Sequence, residues 1–274
     1  MTDPLTYGGY FKAVSGFCAS RGWESIRRAA QKRLHRPVAE EDVGPVSIFL
    51  EKHGAFYHPG RIAVVIKKQT LSFVINVAAS AEGRRSLPIE IQALERLGEK
   101  RPFGWLPTVY AGTVDPIPMF LGDWFDGYHE FHLTRSTKKK DLSLIVWDGA
   151  EPPCLLSDEQ AADLYRQATM ILAACYDPVT TDQIFPWHHA AGDFVVGMRD
   201  QAVDVKLITV RDYCPFFEMK TAPADEGALL GNLLVFFLHL SIRMRLDRLD
   251  GGSEIVWAPD TCLAPIVEGF FKGL

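Results

Sequence analysis

The five cysteines, Cys18, Cys154, Cys175, Cys214 and Cys262, include no Cys-x-x-Cys pair. That absence argues against a zinc ribbon or a redox dithiol, and an odd, widely spaced set reads as ordinary buried thiols in a reducing, cytoplasmic compartment. There is no cationic excess: 29 Lys and Arg stand against 34 Asp and Glu, a formal charge of −5, which disfavours nucleic acid as the main ligand. Met1-Thr2-Asp3-Pro4 carries neither a basic start nor an apolar run, so no secretory leader is expected. No Gly-x-Ser-x-Gly elbow occurs, and Cys175 and Cys214 have no histidine beside them in sequence, which sets hydrolase chemistry aside. The most apolar stretch, 227–242, spans 16 residues without Asp, Glu, Lys or Arg but contains Asn232 and His239. A bilayer needs roughly 20 apolar residues, so this stretch is expected to be a buried core helix, with no membrane partner.

What is present suits a folded chain. Of 274 residues 47% are hydrophobic and 23% charged, enough to bury a core in one large domain or two lobes. Residues 7–34 are expected to be helical, with Phe11, Val14, Phe17 and Cys18 on one stripe and Arg27, Arg28, Lys32 and Arg33 on a solvated face. Short β runs follow at 46–50, 61–66 and 71–79, then a helical spacing of Leu87, Ile91, Leu94 and Leu97, then β runs at 108–113 and 119–125. In the second half, Ser157-Asp158-Glu159-Gln160 has the capping-box pattern and opens a helix expected to end near Asp177-Pro178. Two short β runs, 194–196 and 205–210, precede a long apolar helix over about 226–247 and a closing helix near Ile266. Lys138-Lys139-Lys140 reads as a solvated loop.

Several segments fall at informative places in this order. Glu51-Lys52-His53-Gly54-Ala55-Phe56-Tyr57-His58-Pro59-Gly60 joins the first two β runs; Phe73-Val74-Ile75-Asn76-Val77-Ala78 is the third run; and Glu90 lies on the following helix. Trp187-His188-His189-Ala190-Ala191-Gly192-Asp193-Phe194-Val195-Val196 comes after the capped helix, and Val205-Lys206-Leu207-Ile208 leads to Arg211-Asp212-Tyr213. The layout over about 44–250 resembles the protein-kinase-like fold in its small-molecule phosphotransferase branch, the aminoglycoside and choline kinase-like proteins.

The resemblance implies a bilobal α+β fold: a β-rich N-terminal lobe over 1–126 and a mostly helical C-terminal lobe over 127–274. It also implies ATP and magnesium as cofactors and a small-molecule ligand held between the lobes. Gly54 would lie in the turn over the phosphates, Glu90 at the helix glutamate, and Asn76 where the family has lysine. An amide there hydrogen-bonds but cannot neutralise phosphate charge. Asp123-Trp124-Phe125-Asp126-Gly127-Tyr128 takes the hinge position, with Trp124 beside a planar ring. His188 stands in the slot of the base and Asp193 in that of the metal ligand, with Asp212 as the nearby second carboxylate. These departures leave an enzyme and a noncatalytic ligand-binding descendant both open.

Two other constellations share these residues. His188-His189-Ala190-Ala191-Gly192-Asp193 fits His-His-x-x-x-Asp, the motif of chloramphenicol-acetyltransferase-like and condensation-domain acyltransferases; there His189 would be the general base and Asp193 would orient the site. His129-Glu130-Phe131-His132 supplies two histidines three apart, which with His188 and His189 form a possible zinc set. Oligomeric state is not legible.

Overall fold

The computed structural model describes residues 5–100, 104–135, 142–149, 154–188, 192–199, 202–216 and 226–274. Met1-Thr2-Asp3-Pro4, the Lys138-Lys139-Lys140 loop and His189 therefore lie outside the described residues. Strands and helices are mixed, with a β-rich N-terminal region and further helices later. Two compact units result: Met1–Lys100 with Pro107–Asp126, and Arg101–Leu106 with Gly127–Leu274.

The first unit begins with α1 (Tyr7–Leu34), whose Thr6 hydroxyl accepts the Gly9 N–H at 3.1 Å as an N-cap. The single helix expected here is two arms. Ser20 leaves the helical region and Arg21, Gly22 and Trp23 follow with positive φ. Gly22 serves the break twice, since it sits at φ 65° and a Cβ there would collide with the Glu40 carboxylate.

Next come β1 (Val43–Leu50), β2 (Tyr57–Ile66), β3 (Gln69–Ala78), α2 (Ala81–Lys100), β4 (Val109–Thr113) and β5 (Met119–Asp123). The strands form one antiparallel sheet in the order β1-β2-β3-β5-β4. Alternation decides its two faces. Ile62, Val64 and Ile66 of β2, Phe73 and Ile75 of β3, and Leu121 of β5 share one face and bury against Tyr10, Val14, Ile26 and Ala29 of α1. Each such side chain removed from water contributes about 1.5–3 kcal/mol. The basic residues of α1 are less solvated than expected: Arg33 Nη1 reaches Asp123 Oδ1 and the Trp124 carbonyl, each at 3.4 Å, and Arg27 Nε donates to the Val38 carbonyl at 3.2 Å.

The second unit opens with β6 (Tyr128–His129), β7 (Phe131–Arg135), β8 (Leu142–Val146) and β9 (Cys154–Leu155). Then follow α3 (Asp158–Ala174), β10 (Asp182–Ile184), β11 (Phe194–Arg199), β12 (Ala202–Leu207) and β13 (Tyr213–Pro215). It closes with α4 (Glu226–Arg245), β14 (Leu246–Arg248), β15 (Ile255–Trp257) and α5 (Leu263–Gly273). The capping box at Ser157 forms as expected, with the Ser157 hydroxyl accepting the Gln160 N–H and the Gln160 side chain accepting the Ser157 N–H. The half expected to be mostly helical also carries short strands, in sheets β12-β11-β6, β7-β8-β9, β10-β13 and β14-β15. Strands of two to six residues give too few alternations to be read reliably from sequence.

The long apolar helix corrects an expectation more sharply. α4 is not a buried core helix: Phe236, Leu240 and Met244 are buried, whereas Leu230, Leu234, Val235, Leu238 and Ile242 are exposed. It packs by one face, where Phe236 stacks on Tyr176 with centroids 3.9 Å apart and Phe237 meets Phe270 of α5 at 4.8 Å. Its length and a mean hydropathy of 1.6 would suffice to cross a membrane.

All five cysteines are free thiols; Cys18, Cys175 and Cys262 are buried, and Cys154 and Cys214 partly so.

Candidate functional site

The predicted site residues fall into two groups. Gly54, Asn76, Glu90 and Trp124 belong to the first unit, and His188, Asp193 and Asp212 to the second.

In the first unit Gly54 lies in the turn between β1 and β2, where its N–H donates to the Tyr57 carbonyl at 3.0 Å. A Cβ at Gly54 would lie 2.6 Å from that carbonyl, so the tight turn itself calls for glycine. The Glu51 and Lys52 N–H groups both donate to the Pro59 carbonyl at 3.1 and 3.3 Å. These donors satisfy the turn rather than pointing outward as a phosphate cradle does.

Asn76 pairs with Pro59 on β2 and Phe120 on β5, on the sheet face opposite α1. Trp124 extends the same parity from Phe120 and Gly122, and Arg61 of that face lies 5.8 Å from its ring centroid. A Cβ on Gly112, the partner of Phe120, would meet the Ile91 side chain of α2 at 3.3 Å, so α2 covers part of this face. Glu90 sits among the buried residues of α2, between Leu87 and Ala93, and is fully buried. Glu90 does not face water, because the helical stripe that buries Leu87 and Leu94 carries it along. Asn76 and Glu90 thus occupy facing surfaces.

In the second unit the segment between β10 and β11 is gripped by charge. Asp193, immediately before β11, has a side chain only 2% exposed. Its Oδ2 accepts the His188 N–H at 2.7 Å and bonds to Arg211 Nη1, while its Oδ1 accepts from Arg211 Nη2 at 2.6 Å. This is a two-pronged guanidinium clamp, the geometry in which arginine binds carboxylate best. Burial pushes the Asp193 carboxyl above its usual range, against the opposing pull of Arg211 and the His188 N–H.

A second arginine holds the same segment. Arg243 of α4 donates from Nη2 to the Trp187 carbonyl at 3.0 Å, and its guanidinium lies 5.1 Å and 5.7 Å from the ring centroids of Phe185 and Trp187. His188 is half-buried, and burial first, then Arg243, Arg248, Arg211 and His132, pushes its imidazole below its usual pKa. It is therefore neutral near pH 7, the form able to accept a proton. Gly192, at φ 73°, has Glu130 so close that a Cβ would lie 2.5 Å from Oε1, so no other residue fits there without a shift.

Asp212 is used locally. Its Oδ1 accepts the Tyr213 N–H at 2.7 Å, and its backbone carbonyl accepts the Phe185 N–H at 3.2 Å. Magnesium at Asp193 would have to compete with the Arg211 guanidinium, which engages both carboxylate oxygens of a side chain 2% exposed. Among the described residues no group of three or more His, Cys, Asp or Glu side chains stands ready to hold a metal. His132 instead packs on Trp147, with centroids 4.2 Å apart, and its Nε2 lies 3.9 Å from Glu130 Oε2.

Arg211 and Arg243 went unnoticed as site residues in the sequence. Arg211 stands next to Asp212, and Arg243 ends the charge-free run of α4; neither spacing fits a motif. Comparison with family models, with curated proteins and with solved structures gives no match.

Proposed function

We propose that this chain is a noncatalytic relative of the kinase-like phosphotransferases, a bilobal protein that binds a nucleotide or another small phosphate-bearing molecule. The element order within each unit supports the kinase-like part of this reading. An antiparallel sheet has a helix inserted between its third and fourth strands, and a hairpin, β11–β12, follows the Trp187 to Asp193 segment.

One observation carries the noncatalytic part: the buried Asp193 carboxylate is clamped by Arg211 and the His188 N–H. A hard cation there would face the guanidinium charge beside it and a side chain only 2% exposed. Asn76 adds to this, because an amide in place of lysine leaves phosphate charge unmatched on β3. The five free thiols are consistent with a cytoplasmic protein. An enzyme reading is favoured by one feature, the neutral imidazole of His188, which would take a proton from an acceptor hydroxyl while Asp193 and Asp212 held magnesium.

The test is a melting series with ATP and ADP, with and without magnesium, beside an ATP-turnover assay. A nucleotide at a hundred times its Kd stabilises by about 2.7 kcal/mol, a rise in Tm of roughly 5–10 °C for a chain of this size. We expect that rise to be independent of magnesium and unaccompanied by turnover. Magnesium-dependent turnover abolished by Asp193→Asn would overturn the noncatalytic reading in favour of the enzyme, and no shift with any nucleotide would overturn the ligand.

A further inference from the structure

The exposed face of α4 is the least expected surface of the second unit. Leu230, Leu234, Leu238 and Ile242 recur every four residues and are 67%, 55%, 51% and 53% exposed. Such an i, i+4 row is a ridge of the kind that seats in the groove of another helix. α5 carries a matching row, Leu263, Val267 and Phe271, at 39%, 39% and 68% exposure.

The two rows lie on the same side. Arg245, at the end of α4, donates to the Ala258 carbonyl and to Asp260, just ahead of α5, while Phe237 further back meets Phe270. The helices are therefore antiparallel. At 3.6 residues per turn each row is centred about a quarter turn or less past the ring that makes the contact, in the same rotational sense. In antiparallel neighbours equal offsets from a shared contact point to one side, so the rows form one slab.

Its size and charge decide what covers it. Together the two rows expose on the order of 800 Å² of mostly apolar surface, beyond the few hundred Å² usual for a monomer and equal to one side of a standard protein interface. No Asp, Glu, Lys or Arg occurs between 227 and 242, so self-pairing opposes no like charges there. Arg245, at the end of α4, is paired with Asp260, Arg243 turns to the Trp187 carbonyl, and Glu268 of α5 is paired with Arg166 at 2.7 Å. With a net charge of −5 and, among the described residues of α4 and α5, only Arg243, Arg245 and Lys272 as cations, all in the last turns, the slab lacks the basic stripe that suits an anionic lipid surface.

We propose that the slab formed by α4 and α5 is a self-complementary interface through which two copies of this chain associate about a twofold axis. Ridge meets groove across the axis, and the four helices form a closed apolar layer.

The test is sedimentation equilibrium of the full chain over a wide concentration range, beside a Leu234→Glu, Leu238→Glu variant and a second variant, Leu230→Lys, Leu234→Lys. All of these positions are exposed, and circular dichroism and Tm confirm the fold of each. The expected result is a mass that doubles at micromolar concentration, with dimer affinity weakened by about a hundredfold or more in either folded variant. A native chain that stays monomeric up to ~100 µM, or folded variants that dimerise as well as the native chain, would overturn the proposal. Flotation of the monomeric native chain with phosphatidylcholine or phosphatidylserine vesicles, lost in the variants, would also overturn it and assign the slab to a lipid surface.

Discussion

Replacing Arg211 by methionine removes the guanidinium from Asp193 while keeping much of the side-chain volume. The Asp193 side chain is 2% exposed, against 26% for Arg211, so the group left behind is the one water cannot reach. Breaking a buried pair from one side costs about 3–5 kcal/mol, because the remaining charge is uncompensated.

The pH dependence fixes the cause. Burial already raises the Asp193 carboxyl above its ordinary value, with Arg211 the chief opposing influence, so Arg211→Met raises it further. A carboxyl whose folded pKa exceeds its unfolded one binds its proton more tightly in the native state. Stability is then present below the unfolded pKa near 3.9 and is lost as pH rises through the folded pKa. The penalty in the variant should therefore be small near pH 4, where Asp193 is neutralised, and grow as pH rises towards 7.

Urea unfolding measures this as a midpoint roughly 1 M lower at pH 7, with the gap narrowing at pH 5. The double variant Arg211→Met, Asp193→Asn should recover part of the loss, since it removes the stranded charge as well as its partner. A penalty under about 1 kcal/mol at pH 7, or one that is the same at pH 5, would refute the reasoning and leave Asp193 free for another role.

Two further outcomes follow from other parts of the chain. Burial pushes the Asp247 carboxyl up to about 6, although the Leu133 and Arg248 N–H groups hold it down, so its ionisation costs native stability between about pH 4 and 6. Carbon-detected NMR should find its midpoint near pH 6, and Asp247→Asn should remove a fall of on the order of 2–3 kcal/mol across that window. At Gly60 a Cβ would collide with the Tyr10 hydroxyl and lie 2.6 Å from the Phe49 carbonyl. Gly60→Ala should cost about 3 kcal/mol in denaturant unfolding, because the backbone carbonyl cannot move away as a flexible side chain would.

How much of this was legible depended on the length of each signal. β3 and the start of the helix after Ser157 stand close to where the pattern places them, whereas β2 begins at Tyr57, inside the segment expected to join the first two runs, because Pro59 and Gly60 read as turn residues. The break in α1 was hidden because only Gly22 hints at it; Arg21 and Trp23 take a positive φ that no local preference of theirs encodes. The exposure of α4 was also hidden. An apolar run reports that water is avoided somewhere, but not whether the cover comes from the same chain.

At the site, the run from Trp187 to Phe194 was visible as a segment rich in chemistry, and the structure does join His188 to Asp193 through a backbone N–H. The partner that dominates Asp193, Arg211, lies 18 residues downstream and is brought back by the β11–β12 hairpin. Long-range ion pairs of this kind have no spacing rule, so sequence alone offered Asp212 instead.

Of the five thiols, Cys18 alone belongs to the first unit, where it is fully buried and its pKa is driven to about 12. An alkylating reagent reacts with thiolate, and here both access and ionisation withhold it until the α1 contacts part. Partly exposed Cys154 would be modified first without unfolding and Cys214 more slowly, its thiol being pushed up to about 11. Modification of Cys18 would mark the opening of the N-terminal unit, and that of Cys175 and Cys262 the opening of the other. The native cysteines therefore serve as a built-in clock for the order in which the two units unfold.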